Sequence, residues 1–169
     1  MTTSDALEKL LTSYAGYYNI ITEDVTPPFA AEAVFHSHDE AYFLMKSAKL
    51  AEMDSHEYVF FATANRLDAA DVAALDEAAW NEGLARTKPH SYHRSTDTIL
   101  VLVADEITAE AKKQIKKLRH YKSYRWSFQG WSQYRVIALE LSSGSLTYNR
   151  LGQSLEKLFR NIFNSLKER

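Results

Sequence analysis

Leu7, Leu10, Leu11, Tyr14 and Tyr18 recur at intervals of three and four, which puts them on one helical face and predicts a first helix from about Asp5 to Tyr18. Pro27-Pro28 closes that segment, because proline fits neither a helix interior nor a central strand. Three strand-like stretches follow: Phe29–His38, Tyr42–Met53, and Tyr58–Ala64, the last reached through a tight connection at Asp54-Ser55-His56. Tyr58-Val-Phe-Phe-Ala62 is apolar on both faces, as a central strand requires. Asp68 is the expected N-cap of a second helix ending near Ala85, with Val72, Leu75, Ala79 and Leu84 on its buried side.

Thr98–Ala104 reads as the most deeply buried strand. Ile107, Ala111, Ile115 and Leu118 predict a third helix capped by Thr108. Tyr124, Trp126 and Phe128 alternate with Ser123, Arg125 and Ser127, a period of two that predicts a strand. Gly130 allows a turn or bulge before a strand at Tyr134–Leu141, and Ser142-Ser-Gly144 turns into a short strand at Leu146–Tyr148. Leu155, Leu158, Phe159, Ile162, Phe163 and Leu166 form the apolar stripe of a last, amphipathic helix.

The order α-β-β-β-α-β-α-β-β-β-α implies an α+β fold, a mixed and largely antiparallel sheet covered by helices. At 169 residues this is expected to be a single domain over 1–169, with an N-terminal helix and Pro-Pro linker in 1–28 and the amphipathic helix in 150–169. The closing helix is expected to bury its stripe on the chain's own sheet; a homodimer contact through it is the other reading. With no cysteine, disulfides, thiolate metal sites and a cysteine nucleophile are excluded. No signal peptide or membrane-length apolar run is evident, so a soluble, cytoplasmic protein without a membrane partner is expected.

Charge changes the picture more than composition does. Residues 1–110 hold seven Lys/Arg against nineteen Asp/Glu, whereas residues 111–169 hold thirteen against three. From Lys112 to Arg135 there are eight bases and no acid: Lys112, Lys113, Lys116, Lys117, Arg119, Lys122, Arg125 and Arg135. Lys112, Lys113, Lys116 and Lys117 share one face of the third helix, and the aromatic segment with Trp131 follows. Cations that displace counterions from phosphates, beside rings that stack on bases, suit single-stranded nucleic acid; an acidic protein is the other partner of that chemistry. A solvated face, or one neutralised by the acidic second helix (Asp68, Asp71, Asp76, Glu77, Glu82), explains the same run without a ligand.

The rival chemistry is a metal-dependent hydrolase or nuclease built from His36, His38, His90 and His93 with Asp97. The order helix, three strands, helix, strand is similar to the core of restriction-endonuclease-like nucleases, but Glu57 is followed by Tyr58-Val59 and no metal-site lysine. There is no Gly-x-Ser-x-Gly elbow, phosphate-cradling glycine loop or His-Glu-x-x-His, so no cofactor is expected and a non-enzymatic binding module is the primary reading.

Tyr42-Phe-Leu44, the Pro89-His90…His93 loop, Lys122-Ser123, Gln129-Gly130-Trp131-Ser-x-x-Arg135 and Thr147-Tyr148-Asn149…Gly152 resemble an uncharacterised family of small bacterial proteins over residues 35–159. The resemblance implies a stand-alone α+β unit and carries no activity. Physically, Gly130 suits a bulge or positive φ, and Arg135 at the mouth of an apolar strand needs an acid, with Asp97 and Glu140 the candidates.

Overall fold

A computed structural model describes residues 1–36 and 54–167. In chain order it has α1 (Thr3–Tyr14), β1 (Asn19–Ile21), β2 (Ala31–His36), β3 (Asp54–Leu67), α2 (Ala69–Arg86) and β4 (His93–Ile107). Then come α3 (Ala109–Lys117), β5 (Tyr121–Ser123), β6 (Trp131–Glu140), β7 (Ser145–Tyr148), a 3-10 turn (Gly152–Leu155) and α4 (Glu156–Lys167). The fold is α+β. Among the described residues the succession of helices and strands is the expected one; β2 lies within the anticipated Phe29–His38 and β3 contains the anticipated Tyr58–Ala64, whereas β1 was not anticipated. The segment Tyr42–Met53, read as a strand, lies outside the described residues. Its place in the count is taken by β1, too short to show periodicity, and Asp54-Ser55-His56 is not a connection but the start of β3.

The seven strands form one sheet ordered β1-β2-β3-β4-β6-β5, with β7 also paired to β6. Four of the six pairings are antiparallel, but the long central strands β3, β4 and β6 run parallel to one another. Such strands are buried on both faces, which explains their nearly continuous apolar runs. Val59, Phe61, Val101 and Ile137 point to α1 and α4, while Phe60, Leu100, Leu102 and Val136 point to α2 and α3. Phe159, Ile162 and Phe163 of α4 are buried in the first of these cores, so the closing stripe covers the chain's own sheet. No helix among the described residues is long and apolar enough to cross a membrane.

Local chemistry sets the helix starts. Thr2 and Asp5 form a reciprocal capping box on α1, and Asp68 and Asp71 form another on α2. Thr108 caps α3 through the Ala111 N–H. The buried stripe of α2 is Val72, Asp76, Ala79 and Gly83, rotated from the expected one so that an acid faces inward.

The strand expected at Tyr124–Phe128 is absent, and the three-residue β5 takes its place in the order. Residues 124–129 form a tight turn joining β5 to β6, in which Arg125, Trp126 and Ser127 have φ of 46°, 51° and 72°. Three successive left-handed residues cannot pair in a sheet. The turn is closed by the Tyr124 N–H donating to Gly130 O at 2.9 Å and the Gln129 N–H to Tyr124 O at 3.1 Å. The alternation of rings in the sequence thus marks a turn that holds Trp126 and Phe128 in solvent.

Candidate functional site

The edge of the sheet beyond β6 is covered by two short strands, with a gap between them. β5 pairs with Trp131–Gln133 and β7 with Ile137–Glu140, so neither reaches the backbone of Tyr134 and Val136. The Asn149 side chain fills that gap. Its Oδ1 accepts from the Val136 N–H (3.1 Å) and the Gly152 N–H (2.8 Å), and its Nδ2 donates to Tyr134 O (3.2 Å) and Leu118 O (3.0 Å). One amide thereby supplies the donors and acceptors of a missing strand residue. Gly152 is required beside it, since a Cβ there would lie 2.1 Å from Val136 O.

A cavity of about 390 Å³ opens at this gap, lined by Lys116, Lys117, Arg119, His120, Tyr134 and Arg150 among others, with no acid in its wall among the described residues. Lys116 and Lys117 come from the last turn of α3, Arg119 and His120 from the link to β5, and Arg150 from the turn after β7. From the cavity the exposed edge continues along β5 to the hairpin turn, with Tyr121 and Lys122 both in solvent but on opposite faces of the sheet. Lys122 Nζ sits 5.5 Å from the Tyr124 ring centre, a cation–π contact. At the tip Trp126 is 91% exposed and Phe128 80%. Trp126 is held on left-handed backbone, at roughly 1–2 kcal/mol, without any gain in burial.

His120 forms the inner wall. Its Nε2 lies 3.0 Å from both Oδ1 and Oδ2 of the buried Asp76 on α2. A carboxylate can only accept, so Nε2 carries the proton, and Nδ1 has no hydrogen-bond partner among the described residues. Trp80 stacks on the imidazole at 5.1 Å and Tyr134 meets it edge-on at 4.9 Å. Burial first, and then the Asp76 charge, hold the Tyr134 phenol well above its usual ionisation range.

The basic residues singled out in the sequence divide into two groups. Lys113, Lys116, Lys117, Arg119, Lys122 and Arg125 are exposed, and all but Lys113 lie on the strip from the cavity to the hairpin tip. Lys113 lies on the outer face of α3. Lys112 is paired with Glu140 at 2.8 Å, Arg135 with Asp97 at 2.6 Å, and Trp131 is half-buried at the start of β6. The acid that neutralises Lys112 thus comes from β6, while α2 contributes Asp76 to His120. His120 and Asp76 were not distinguishable in the sequence, where one is an isolated histidine and the other one acid of an apparently solvated helix face.

The described histidines of the metal reading lie in one chain of ring contacts, His36–His56–His93–His90, whereas Asp97 stands apart from them. A bulge at Asp54/Ser55 lets His93 face the α2 side with His56, whereas Asp97 faces α1 and α4 beside Ile99. His93 Nδ1 donates to Gln129 O at 2.6 Å, which leaves Nε2 to accept from the Thr96 hydroxyl at 2.9 Å, so both ring nitrogens are engaged. His36 and His56 share a hydrogen bond between their Nδ1 atoms at 2.6 Å. The His90 ring lies 6.2 Å from that of His93, and His38 is outside the described residues. Asp97 gives one oxygen to Arg135 and the other to Gln133; burial holds its ionisation above the usual carboxylate range against the pull of Arg135. Glu57, its neighbour in register, accepts from the Tyr18 hydroxyl. Among the described residues no three His, Asp or Glu side chains are placed to hold a metal ion.

Sheet, helices and edge cavity together define an α+β protein with a basic, aromatic-flanked edge. The chain belongs to the family described as Domain of unknown function (DUF8052), whose model matches residues 2–161 and so runs from the cap of α1 into α4. No curated protein and no solved structure matches it.

Proposed function

We propose that the protein is a binding module for single-stranded nucleic acid, held along the strip from the edge cavity to the β5–β6 turn. The observation that carries this reading is the adjacency of an acid-free cationic cavity and a hairpin that presents Tyr121, Trp126 and Phe128 to solvent. Phosphates would meet Lys116, Lys117, Arg119, Lys122 and Arg125, and bases would stack on the rings. An acidic protein surface is the competing partner, since it would meet the same cations and pack on the same rings; binding to nucleic acid separates the two readings.

The test is binding to labelled single-stranded RNA and DNA over a salt series. Five phosphate contacts imply that affinity falls roughly 100-fold between 50 and 200 mM salt. Changing Lys116, Lys117 and Arg119 together to Glu is expected to abolish binding and flatten the salt dependence. Lys112 is left out of that variant because its charge belongs to Glu140. Trp126→Ala with Phe128→Ala should remove roughly 1–3 kcal/mol per stacked base with no loss of thermal stability, because neither ring is buried. Absence of binding at low salt would refute the proposal.

A further inference from the structure

The His120–Asp76 pair is more than a strip of cations needs. The imidazole is gripped by the Asp76 carboxylate at Nε2, by the Trp80 face and by the Tyr134 edge, and its Nδ1 has no hydrogen bond among the described residues, on a side chain that lines the cavity. Such clamping fixes the ring's orientation in advance, as recognition of a small polar group requires. The surrounding charge is also concentrated: Lys116, Lys117, Arg119 and Arg150 border one cavity of about 390 Å³, whereas an internal phosphodiester carries a single charge. Finally, the most exposed rings, Trp126 and Phe128, lie on the hairpin side of the cavity; at the other side lie Leu151 and the 3-10 turn, where Gly152 is buried.

We infer that this cavity is the seat of a phosphate monoester, the terminal phosphate of a strand or that of a free mononucleotide, with His120 Nδ1 and the Arg150 guanidinium among its contacts. The inference rests on the strip reading and narrows it. A monoester brings close to two negative charges and three acceptor oxygens, enough for several of these donors at once. Protonated His120 donates from Nδ1 while Asp76 keeps Nε2–H in place, and the base nearest the phosphate falls beside Tyr121.

The experiment compares one short single-stranded RNA sequence with a 5′-phosphate, a 3′-phosphate or hydroxyl ends, alongside the corresponding mononucleotides. One phosphorylated end is expected to bind about tenfold more tightly than the hydroxyl-ended strand, the gain of a charge-assisted contact. His120→Gln and, separately, Arg150→Gln should each reduce that preference to about twofold or less. Arg150 is exposed, so its variant stands even where loss of His120 unsettles Asp76. Adding the mononucleotide should shift the His120 Nδ1 resonance in nitrogen NMR. Equal binding of phosphorylated and hydroxyl-ended strands would overturn the monoester assignment and leave the strip intact. Mononucleotide binding with the His120 shift, but no gain from a longer strand, would uphold the monoester seat and refute the strip. Binding of neither would overturn both.

Discussion

Asn149 shows how much one side chain can decide. Its four hydrogen bonds satisfy β6 backbone that neither β5 nor β7 reaches, and they tie the link after α3 to the turn before α4. Asn149→Ala leaves the Val136 and Gly152 N–H groups and two carbonyls without that partner. At roughly 1–3 kcal/mol for each buried group left unsatisfied, partly offset by entering water, the expected loss is about 3 kcal/mol. Urea unfolding would measure it, and a loss under about 0.5 kcal/mol, the range of an ordinary surface substitution, would mean that water replaces the amide without cost. Arg135 is a comparable case: its guanidinium neutralises Asp97, which is 5% exposed and flanked by Glu57. Removing one partner of such a pair strands the other charge.

Among the elements, α2 and the β5–β6 hairpin carry opposite lessons. Gly83 lies inside α2, where alanine would ordinarily stabilise a helix by about 1 kcal/mol. Here a Cβ would come within 1.9 Å of Thr98 Oγ1 in the centre of β4, so helix and sheet would have to move apart. Overpacking of that kind costs about 1–3 kcal/mol and outweighs the propensity gain. Gly83→Ala is therefore expected to lower the melting temperature; a rise would show that α2 does not sit this close to the sheet. The close approach also places Trp80 and Asp76, one and two turns earlier, against His120 in the cavity wall. The hairpin has no such support from burial. Its three left-handed residues depend on turn hydrogen bonds and on Gly130, whose Cβ would meet Arg94 O at 2.3 Å.

For the molecule as a whole, acid stability is the accessible test. Burial pushes the Glu140 carboxyl upward, but Lys112, Ser143, the Ile107 N–H and Ser145 outweigh it and hold its ionisation near 2 instead of 4.5. A folded value below the unfolded one means that the unfolded chain binds the proton more readily. The stabilisation is thus complete above about pH 4.5 and is lost as pH falls towards 2. Glu140→Gln should lower stability at neutral pH and narrow the gap to the parent protein as acid is added, which parallel urea titrations would reveal. A constant gap over that range would remove Glu140 from the acid transition. The same contact joins β6 to α3 beneath the cavity-lining lysines, so it steadies the element that presents them.

Much of this was already written in local patterns. Capping residues announced α2 and α3, continuous apolar runs announced the central strands, and three-four stripes announced α1 and the closing helix, because each depends on neighbours a few residues apart. Lys116, Lys117 and Arg119 were legible as a cationic run for the same reason. Pairing across the sheet was not legible: the parallel centre, the edge gap filled by Asn149 and the assignment of Lys112 to Glu140 each join residues far apart in the chain. The alternating rings at Tyr124–Phe128 misled because period two reports burial only where a sheet exists to receive it. His120 with Asp76 lay hidden behind a 44-residue separation and a rotated helix face. Local order follows from the chain's own periodicity and capping, whereas the site exists only where the edge gap, the inward acid of α2 and the end of α3 meet in space.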